Sequence, residues 1–463
     1  MIPMTLAEIA AAVDGTVVGD PDTLVTGMVE FDSRKIGPGG LFAAFVGEHA
    51  DGHDFVPQAV QAGAVAVLGS RPTSAPTVVV ADPRAALGRL ARALVDRLPR
   101  LTIVGITGSS GKTSTKDMIV GLLSRLGETV GPPGSFNNEL GLPHTVLRAD
   151  LQTRFLVLEM GSRGLGHLSY LCSIAPPRVA VVVNVGVAHI GEFGSVENIA
   201  RAKAELVQAL PADGLAVLAA DDERVRAMAD LTQAPVVLAG EAADATVRAS
   251  DLDLDERGRA SYLLHTPEGT APVHLRVAGR HQALNSVLAA AVARSQGMAL
   301  AELAEALGEL LLPSTRRMDV FDRPDGVTVI DDSYNANPAS TAAALHALAA
   351  IGTGRRRIAV LGYLAELGEQ ERAGHEQVGR LAAELGVDRL VVVGAEAAPI
   401  HDGAIAVRNW GGESVVVSDQ DAAVAWLREA LRPGDVVLVK GSRYRTWVVA
   451  DQLRGEELQA VVP

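Results

Sequence analysis

Gly105-Ile106-Thr107-Gly108-Ser109-Ser110-Gly111-Lys112-Thr113 stands between an apolar run, Leu101–Val104, and a helical pattern of Met118, Ile119, Leu122, Leu123 and Leu126. A strand, a glycine-rich turn and a helix in this order form a phosphate loop. Glycines let backbone N–H groups turn inward around phosphate oxygens, and the helix N-terminus adds a favourable dipole. Lys112 offers a mobile cation to the β- and γ-phosphates, and the Thr113 hydroxyl can ligate Mg²⁺. The strict pattern wants glycine where Ile106 stands; here the glycines fall at 105, 108 and 111. The alternative is a glycine-rich turn that happens to carry a lysine, and the strand–loop–helix context favours the nucleotide.

At 463 residues the chain is long enough for about three domains of ~150 residues each. The apolar fraction is 48% but aromatics make up only 3%, so Leu, Val and Ala must fill the cores. The formal charge of −14 argues against nucleic acid or an anionic membrane surface as a partner. A phosphate-bearing ligand must then be held by local cations and backbone amides. The lone Cys172 has no intramolecular disulfide partner, suits a reducing compartment and reads as a buried core thiol. Glu8 and Asp14 interrupt the N-terminal apolar stretch, which excludes a signal peptide. No apolar run approaches the ~18 residues of a membrane helix. The expectation is a soluble, cytoplasmic protein that neither inserts in a membrane nor binds nucleic acid.

Three α/β units are expected, at 1–98, 99–313 and 314–463. In the first, Thr5-Leu6-Ala7-Glu8 reads as a capping box ahead of Leu6, Ile9 and Val13 on one helical face. A second helix starts at Asp82-Pro83, runs to about Arg97 and ends before Leu98-Pro99. In the central unit, apolar strands such as Phe155–Leu158, Val179–Val183 and Leu215–Leu218 alternate with helices such as Val196–Leu210, the pattern of a largely parallel sheet. Residues 246–277 read as an insertion or a small accessory sheet, followed by a helix at Gln282–Ser295. The rhythm restarts after Pro313 with strands Val327–Ile330, Ile358–Leu361, Leu390–Val393 and Val436–Val439.

Polar groups cluster where strands end, the edge at which open α/β sheets bind ligands. Glu159 closes Phe155–Leu158, and a carboxylate there can take Mg²⁺ from the side opposite Thr113. Asn184 and His189 follow Val179–Val183; His189 reads equally as a functional group or as a loop histidine bonded to backbone. The amides in Ser135-Phe136-Asn137-Asn138-Glu139-Leu140-Gly141-Leu142-Pro143 either bond phosphate oxygens or stabilise turns. Lys203, taken alone, reads as a solvated helix lysine.

In their joint order these motifs resemble the Mur ligase family, ATP-dependent amide-forming enzymes of peptidoglycan precursor synthesis. The resemblance covers nearly the whole chain. It takes in Gly279-Arg280-His281-Gln282-Ala283-Leu284-Asn285, Arg317, and Asp331-Asp332-Ser333-Tyr334-Asn335-Ala336-Asn337-Pro338. It implies a small N-terminal α/β domain that binds a UDP-substrate, a central P-loop-type parallel-sheet ATPase domain, and a C-terminal Rossmann-like domain. ATP and Mg²⁺ are the implied cofactors. Catalytic roles fall to Lys112, His189 and Lys203, and metal binding to Thr113, Glu159, His189 and Lys203. ATP contacts fall to Thr107, Gly108, Ser109, Ser110, Gly111, Lys112, Thr113, Asn138, His281, Asn285, Arg317, Asp332 and Asn335. Ser33 and Arg34 are the implied uridine-diphosphate contacts. In the family the lysine matching Lys203 carries a carbamate, and the same is expected here.

Tyr334-Asn335-Ala336-Asn337-Pro338 resembles the members that add D-alanyl-D-alanine to UDP-N-acetylmuramoyl-tripeptide. Those two substrates are the expected partners, and the chain is expected to be a monomer. Tyr363, Pro132 and Ser135 stand where such members more often carry Asp, Thr and Asn. A diamino-acid-adding ligase, folylpolyglutamate synthetase, a switch-type P-loop NTPase and a non-catalytic nucleotide-binding relative are the rival readings. The N-terminal segment from Asp32 to His53 disfavours the folate enzyme, and Lys112, Glu159, His189 and Lys203 together disfavour a non-catalytic relative.

Overall fold

The computed structural model describes residues 1–186, 190–442 and 445–455. Thr5 caps the helix Leu6–Val13 in a reciprocal box with Glu8, satisfying two amide donors that the first helical turn leaves without partners. Beside it a five-stranded sheet runs Thr16–Val18, Thr77–Val79, Ala64–Gly69, Gly40–Ala43, Val29–Glu30. The Asp82 carboxylate accepts from the amides of Arg84 and Ala85 and starts the helix Pro83–Asp96. One face of that helix (Leu87, Leu90 and Leu94) is buried in a core shared with Leu142 and Val146 of the helix Gly141–Val146, and with Leu168 and Leu171 of the helix His167–Ile174. The apolar packing therefore crosses from the N-terminal to the central unit without a break.

The central sheet has nine strands, in the order Gly269–Ala278, Arg259–Thr266, Val247–Leu254, Val236–Gly240, Leu215–Ala219, Val179–Val182, Thr102–Thr107, Phe155–Glu159, Thr129–Val130. Its middle strands are continuous buried runs, as a parallel sheet covered on both faces requires. Residues 246–277 do not stand apart as an accessory sheet. Val247–Leu254 pairs in parallel with Val236–Gly240, and two antiparallel strands extend the same sheet beyond it. The helix His281–Ser295 packs against Lys112–Leu123, the helix that leaves the glycine loop.

In the third unit a six-stranded sheet runs Asp319–Asp322, Thr328–Asp331, Val436–Lys440, Arg357–Leu361, Arg389–Val393, Glu413–Val417, with only the first strand antiparallel. Separate apolar cores cover its two faces. The last strand among the described residues inserts between two earlier ones, so the carboxyl ends of Thr328–Asp331 and Val436–Lys440 lie side by side. Among the described residues no helix is long and apolar enough to cross a membrane.

Candidate active site

A cavity of about 450 Å³ lies between the central and C-terminal units, at the carboxyl ends of both parallel sheets. Gly111, φ +78°, starts the helix on its central wall, and a Cβ there would come within 2.8 Å of Asn285 Oδ1. Glycine is required by the left-handed backbone and by that close approach. Asn184 Oδ1 accepts from the amides of Ser109 and Ser110, each at 2.9 Å, bracing the loop from the neighbouring strand end. Lys112 folds back onto its own loop, its Nζ 2.7 Å from the Gly108 carbonyl. Burial holds the lysine below its ordinary value, as does Arg317, while Glu159 and Glu366 oppose them.

Glu159 is 1% exposed, and its two oxygens are held by different donors. Thr113 Oγ1 donates to Oε2 at 2.8 Å; Ser135 Oγ and Asn137 Nδ2 donate to Oε1 at 2.6 and 2.8 Å. A buried carboxylate without such partners would be strongly disfavoured. A hydroxyl and a carboxylate side by side are hard oxygen donors, the kind Mg²⁺ takes when substrate phosphates and water fill its remaining positions. The described residues contain no cluster of three His, Cys, Asp or Glu side chains that could hold a metal by themselves. The donor set fits a cation that arrives with a nucleotide.

The helix His281–Ser295 brings His281 and Asn285 to the same cavity. Asn285 accepts from Thr115 Oγ1 at 3.2 Å and donates to Gln282 Oε1 at 2.9 Å. Burial lowers the His281 value, with Lys440 adding to the effect and Asp332 opposing it. From the C-terminal side Arg317 stacks on the Tyr334 ring at 4.2 Å. Asp332 pairs with Lys440, whose Nζ also donates to the Asn335 carbonyl at 2.9 Å. The Asn335 side chain accepts from the Ala336 amide. Lys440, buried on the cavity wall, is the residue that sequence reasoning missed. A lysine closing the apolar run Val436–Val439 was the available signal, because that strand end faces the site.

Other expected residues lie off the cavity wall. Thr107 is buried behind the loop with no partner for its hydroxyl. Gly108 contributes its carbonyl to Lys112. Asn138 Oδ1 accepts from the amides of Leu140 and Gly141, a turn-forming arrangement, and it is Asn137 that reaches Glu159. Ser33 Oγ donates to Gln58 at 2.9 Å, and Arg34 pairs with Asp32 at the surface of the N-terminal unit. Tyr363 donates to Glu371 Oε2 at 2.5 Å and lies against His375. His189 lies outside the described residues.

Lys203 is not the solvated lysine that its helix pattern suggests. It is 4% exposed on the helix Val196–Gln208. Burial first, and the charge of Lys112 second, hold it well below the ordinary lysine value. Among the described residues its ammonium has no hydrogen-bond or ion-pair partner. Cys172 is buried, its thiol pushed up to about 12 by burial, as an unreactive core thiol should be.

Family models match three successive stretches: Mur ligase family, catalytic domain, over residues 26–101; Mur ligase middle domain over 106–293; and Mur ligase, glutamate ligase domain, over 316–443. The chain is 50% identical to UDP-N-acetylmuramoyl-tripeptide–D-alanyl-D-alanine ligase of Mycobacterium tuberculosis, with 96% of each covered. A crystal structure of MurF from Acinetobacter baumannii superposes with a TM-score of 0.88 at 31% identity, covering 98% of this chain and 99% of that one. MurF ligase from Thermotoga maritima in complex with ADP gives 0.80 at 30% identity, with 93% and 98% covered. The second and third matched stretches span the two walls of the cavity, and with a half-identical relative running nearly end to end beside it, the chain belongs to the Mur ligase family.

Proposed function

We propose that this chain joins D-alanyl-D-alanine to the terminal carboxylate of UDP-N-acetylmuramoyl-tripeptide, splitting ATP to ADP and phosphate. The observation that carries this reading is the 50% identity, over 96% of both chains, to a relative named for that reaction. The polar cavity between the phosphate-loop wall and the Arg317–Lys440 wall supports it.

A carboxylate is a poor acyl donor because its leaving group would be oxide. Its oxygen therefore attacks the γ-phosphorus of ATP, giving an acyl phosphate and ADP. The dipeptide amine then adds to the acyl carbon, loses a proton, and the tetrahedral adduct expels inorganic phosphate as the amide forms. The first step brings two anions together, so positioning and charge neutralisation dominate the barrier. The loop amides from Gly108 to Thr113 cradle the phosphates, with Thr107 beneath them, and Lys112 leaves the Gly108 carbonyl to meet the transferred phosphoryl group. His281, Asn285, Arg317, Asp332 and Asn335 fix the nucleotide from two sides, with Asn138 shaping the neighbouring turn. Ser33 and Arg34 receive the uridine diphosphate.

Thr113, Glu159, His189 and Lys203 would hold Mg²⁺, which supplies charge neutralisation for the phosphates. Lys203 serves as a carbamate: its free amine adds CO₂ and releases one proton, turning a buried neutral amine into an anionic oxygen ligand. The burial that disfavours the ammonium leaves the free amine this reaction needs. Labelling with ¹³CO₂ should give a carbamate resonance that Lys203→Ala lacks. Units at 1–98, 99–313 and 314–463 divide the work into uridine-nucleotide binding, ATP chemistry and closure over the site. A nucleotide-linked precursor and a lone buried cysteine suit a cytoplasmic monomer.

The test is a product assay with ATP, UDP-muramoyl-tripeptide and a panel of amines. D-Ala-D-Ala should support phosphate release far better than meso-diaminopimelate or glutamate, because buried polar groups lose their partners with the wrong acceptor. Equal turnover with a free diamino acid would overturn the assignment.

A further inference from the structure

One turn past Lys112, the same helix carries a second buried lysine. Lys116 is 2% exposed and pairs at 2.5 Å with Asp117, which is 4% exposed. Buried ion pairs are weak contributors to stability, and well-packed apolar residues often replace them without loss. This pair makes specific contacts instead. An ammonium has three donors and no acceptor, and Lys116 engages Asp117, the Pro132 carbonyl at 2.9 Å and the Gly134 carbonyl at 3.1 Å. Those carbonyls lie three residues and one residue before Ser135, whose hydroxyl fixes Oε1 of Glu159 at 2.6 Å, with Asn137 beside it. The second oxygen of Asp117 accepts the Ser314 amide at 3.2 Å, three residues before Arg317.

We propose that Lys116 is a positioning residue: it clamps the loop 132–135 so that Ser135 and Asn137 hold Glu159 in the orientation that receives a nucleotide-borne cation. The proposal rests on the reading of Glu159 as a cation ligand. Because Lys116 binds backbone carbonyls, the clamp is indifferent to the side chain at 132, and proline serves there.

The test compares wild type, Lys116→Met, Ser135→Ala and the combined variant in the full-length protein. Two readouts are taken: hydrogen exchange at the amides of 131 and 134–137 without ligands, and calorimetric binding of a non-hydrolysable ATP analogue with and without Mg²⁺. Lys116→Met should speed exchange in the loop and lower the Mg²⁺-dependent gain in affinity about tenfold, the scale typical of residues that orient a metal ligand. Ser135→Ala should lower that gain similarly, the combined variant should lose no more than the larger single loss, and affinity for the UDP-tripeptide should not change. If Lys116→Met fails to fold, the charge-balanced Lys116→Met/Asp117→Asn takes its place. Unchanged exchange at those amides, or losses that multiply in the combined variant, would overturn the proposal. A wild-type protein with no Mg²⁺-dependent gain would instead remove the cation reading of Glu159, and loop exchange alone would then decide on Lys116.

Discussion

At the junction of the N-terminal and central units, Leu87, Leu90 and Leu94 share one apolar core with Leu142, Val146, Leu168 and Leu171. At the junction of the central and C-terminal units a cavity brings charged and amide groups face to face, with Lys112, Glu159 and Asn285 opposite Arg317, Asp332 and Lys440. Parting the first pair of surfaces would wet a continuous apolar core; parting the cavity walls would expose charged and amide groups interspersed with apolar ones such as Leu284 and Met318. The segment that opens the C-terminal unit also holds two non-glycine residues in the left-handed region, Arg316 at φ +59° and Met318 at φ +54°, each of which costs of order ~1 kcal/mol or more. The surrounding contacts hold them there: Arg316 pairs with Asp451, and the Met318 amide donates to Asp332. One junction is therefore built to stay shut and the other to admit a charged ligand.

The largest effect should come at the polar junction. Lys112→Ala removes the cation that we propose meets the β/γ-phosphates and should lower turnover ~10²–10³-fold, the scale of one preorganised electrostatic stabiliser. Calorimetric binding of the UDP-substrate without ATP should be nearly unchanged, and a variant with wild-type turnover would end the phosphate-loop reading. At the apolar junction, Leu90→Ala should destabilise by about 3 kcal/mol through lost burial and a residual cavity. Denaturant unfolding should show the N-terminal and central units shifting together, with turnover per folded molecule kept; a shift in only one of two separate transitions would contradict a shared core.

A smaller effect is expected behind the polar junction, where burial pushes Asp331 up to about 6. Between its ordinary acidic range and pH 6 the folded state holds a proton that the unfolded state has lost. Stability therefore falls as pH rises through this window, by ~3 kcal/mol. Asp331→Asn should flatten that slope in denaturant titrations from pH 4 to 7; an unchanged slope would refute the assignment. The smallest change should be Tyr363→Phe, which removes the bond to Glu371 away from the cavity wall and should shift stability by less than ~1 kcal/mol. A large change in the dipeptide KM would place Tyr363 in acceptor recognition.

The phosphate-loop wall was legible in the sequence because its geometry depends on local chemistry: glycines, a lysine and a threonine within one turn. The strand ends at Glu159 and Asn184 were legible for the same reason. Lys440 was not, because its meaning comes from strand pairing that sets Asp331 opposite Val439, a relation no local pattern encodes. The shared core was hidden because Leu98-Pro99 marks where a helix stops, and says nothing of what the helix packs against. Residues 246–277 carried the right strand signal, but only the pairing of Val247–Leu254 with Val236–Gly240 reveals that they widen the main sheet. Lys203 was misleading alone, since a helix lysine is usually solvated and this one is buried.

Oxygen transfer tests the central claim most directly. With the terminal carboxylate of UDP-muramoyl-tripeptide labelled in both oxygens with ¹⁸O, and ATP and D-Ala-D-Ala supplied, the inorganic phosphate released should carry one ¹⁸O per molecule and the new amide should retain the other. That outcome requires the substrate carboxylate to have attacked the γ-phosphorus. Unlabelled phosphate accompanying amide formation, or label appearing in AMP, would contradict the acyl-phosphate route and the reading of the cavity built on it.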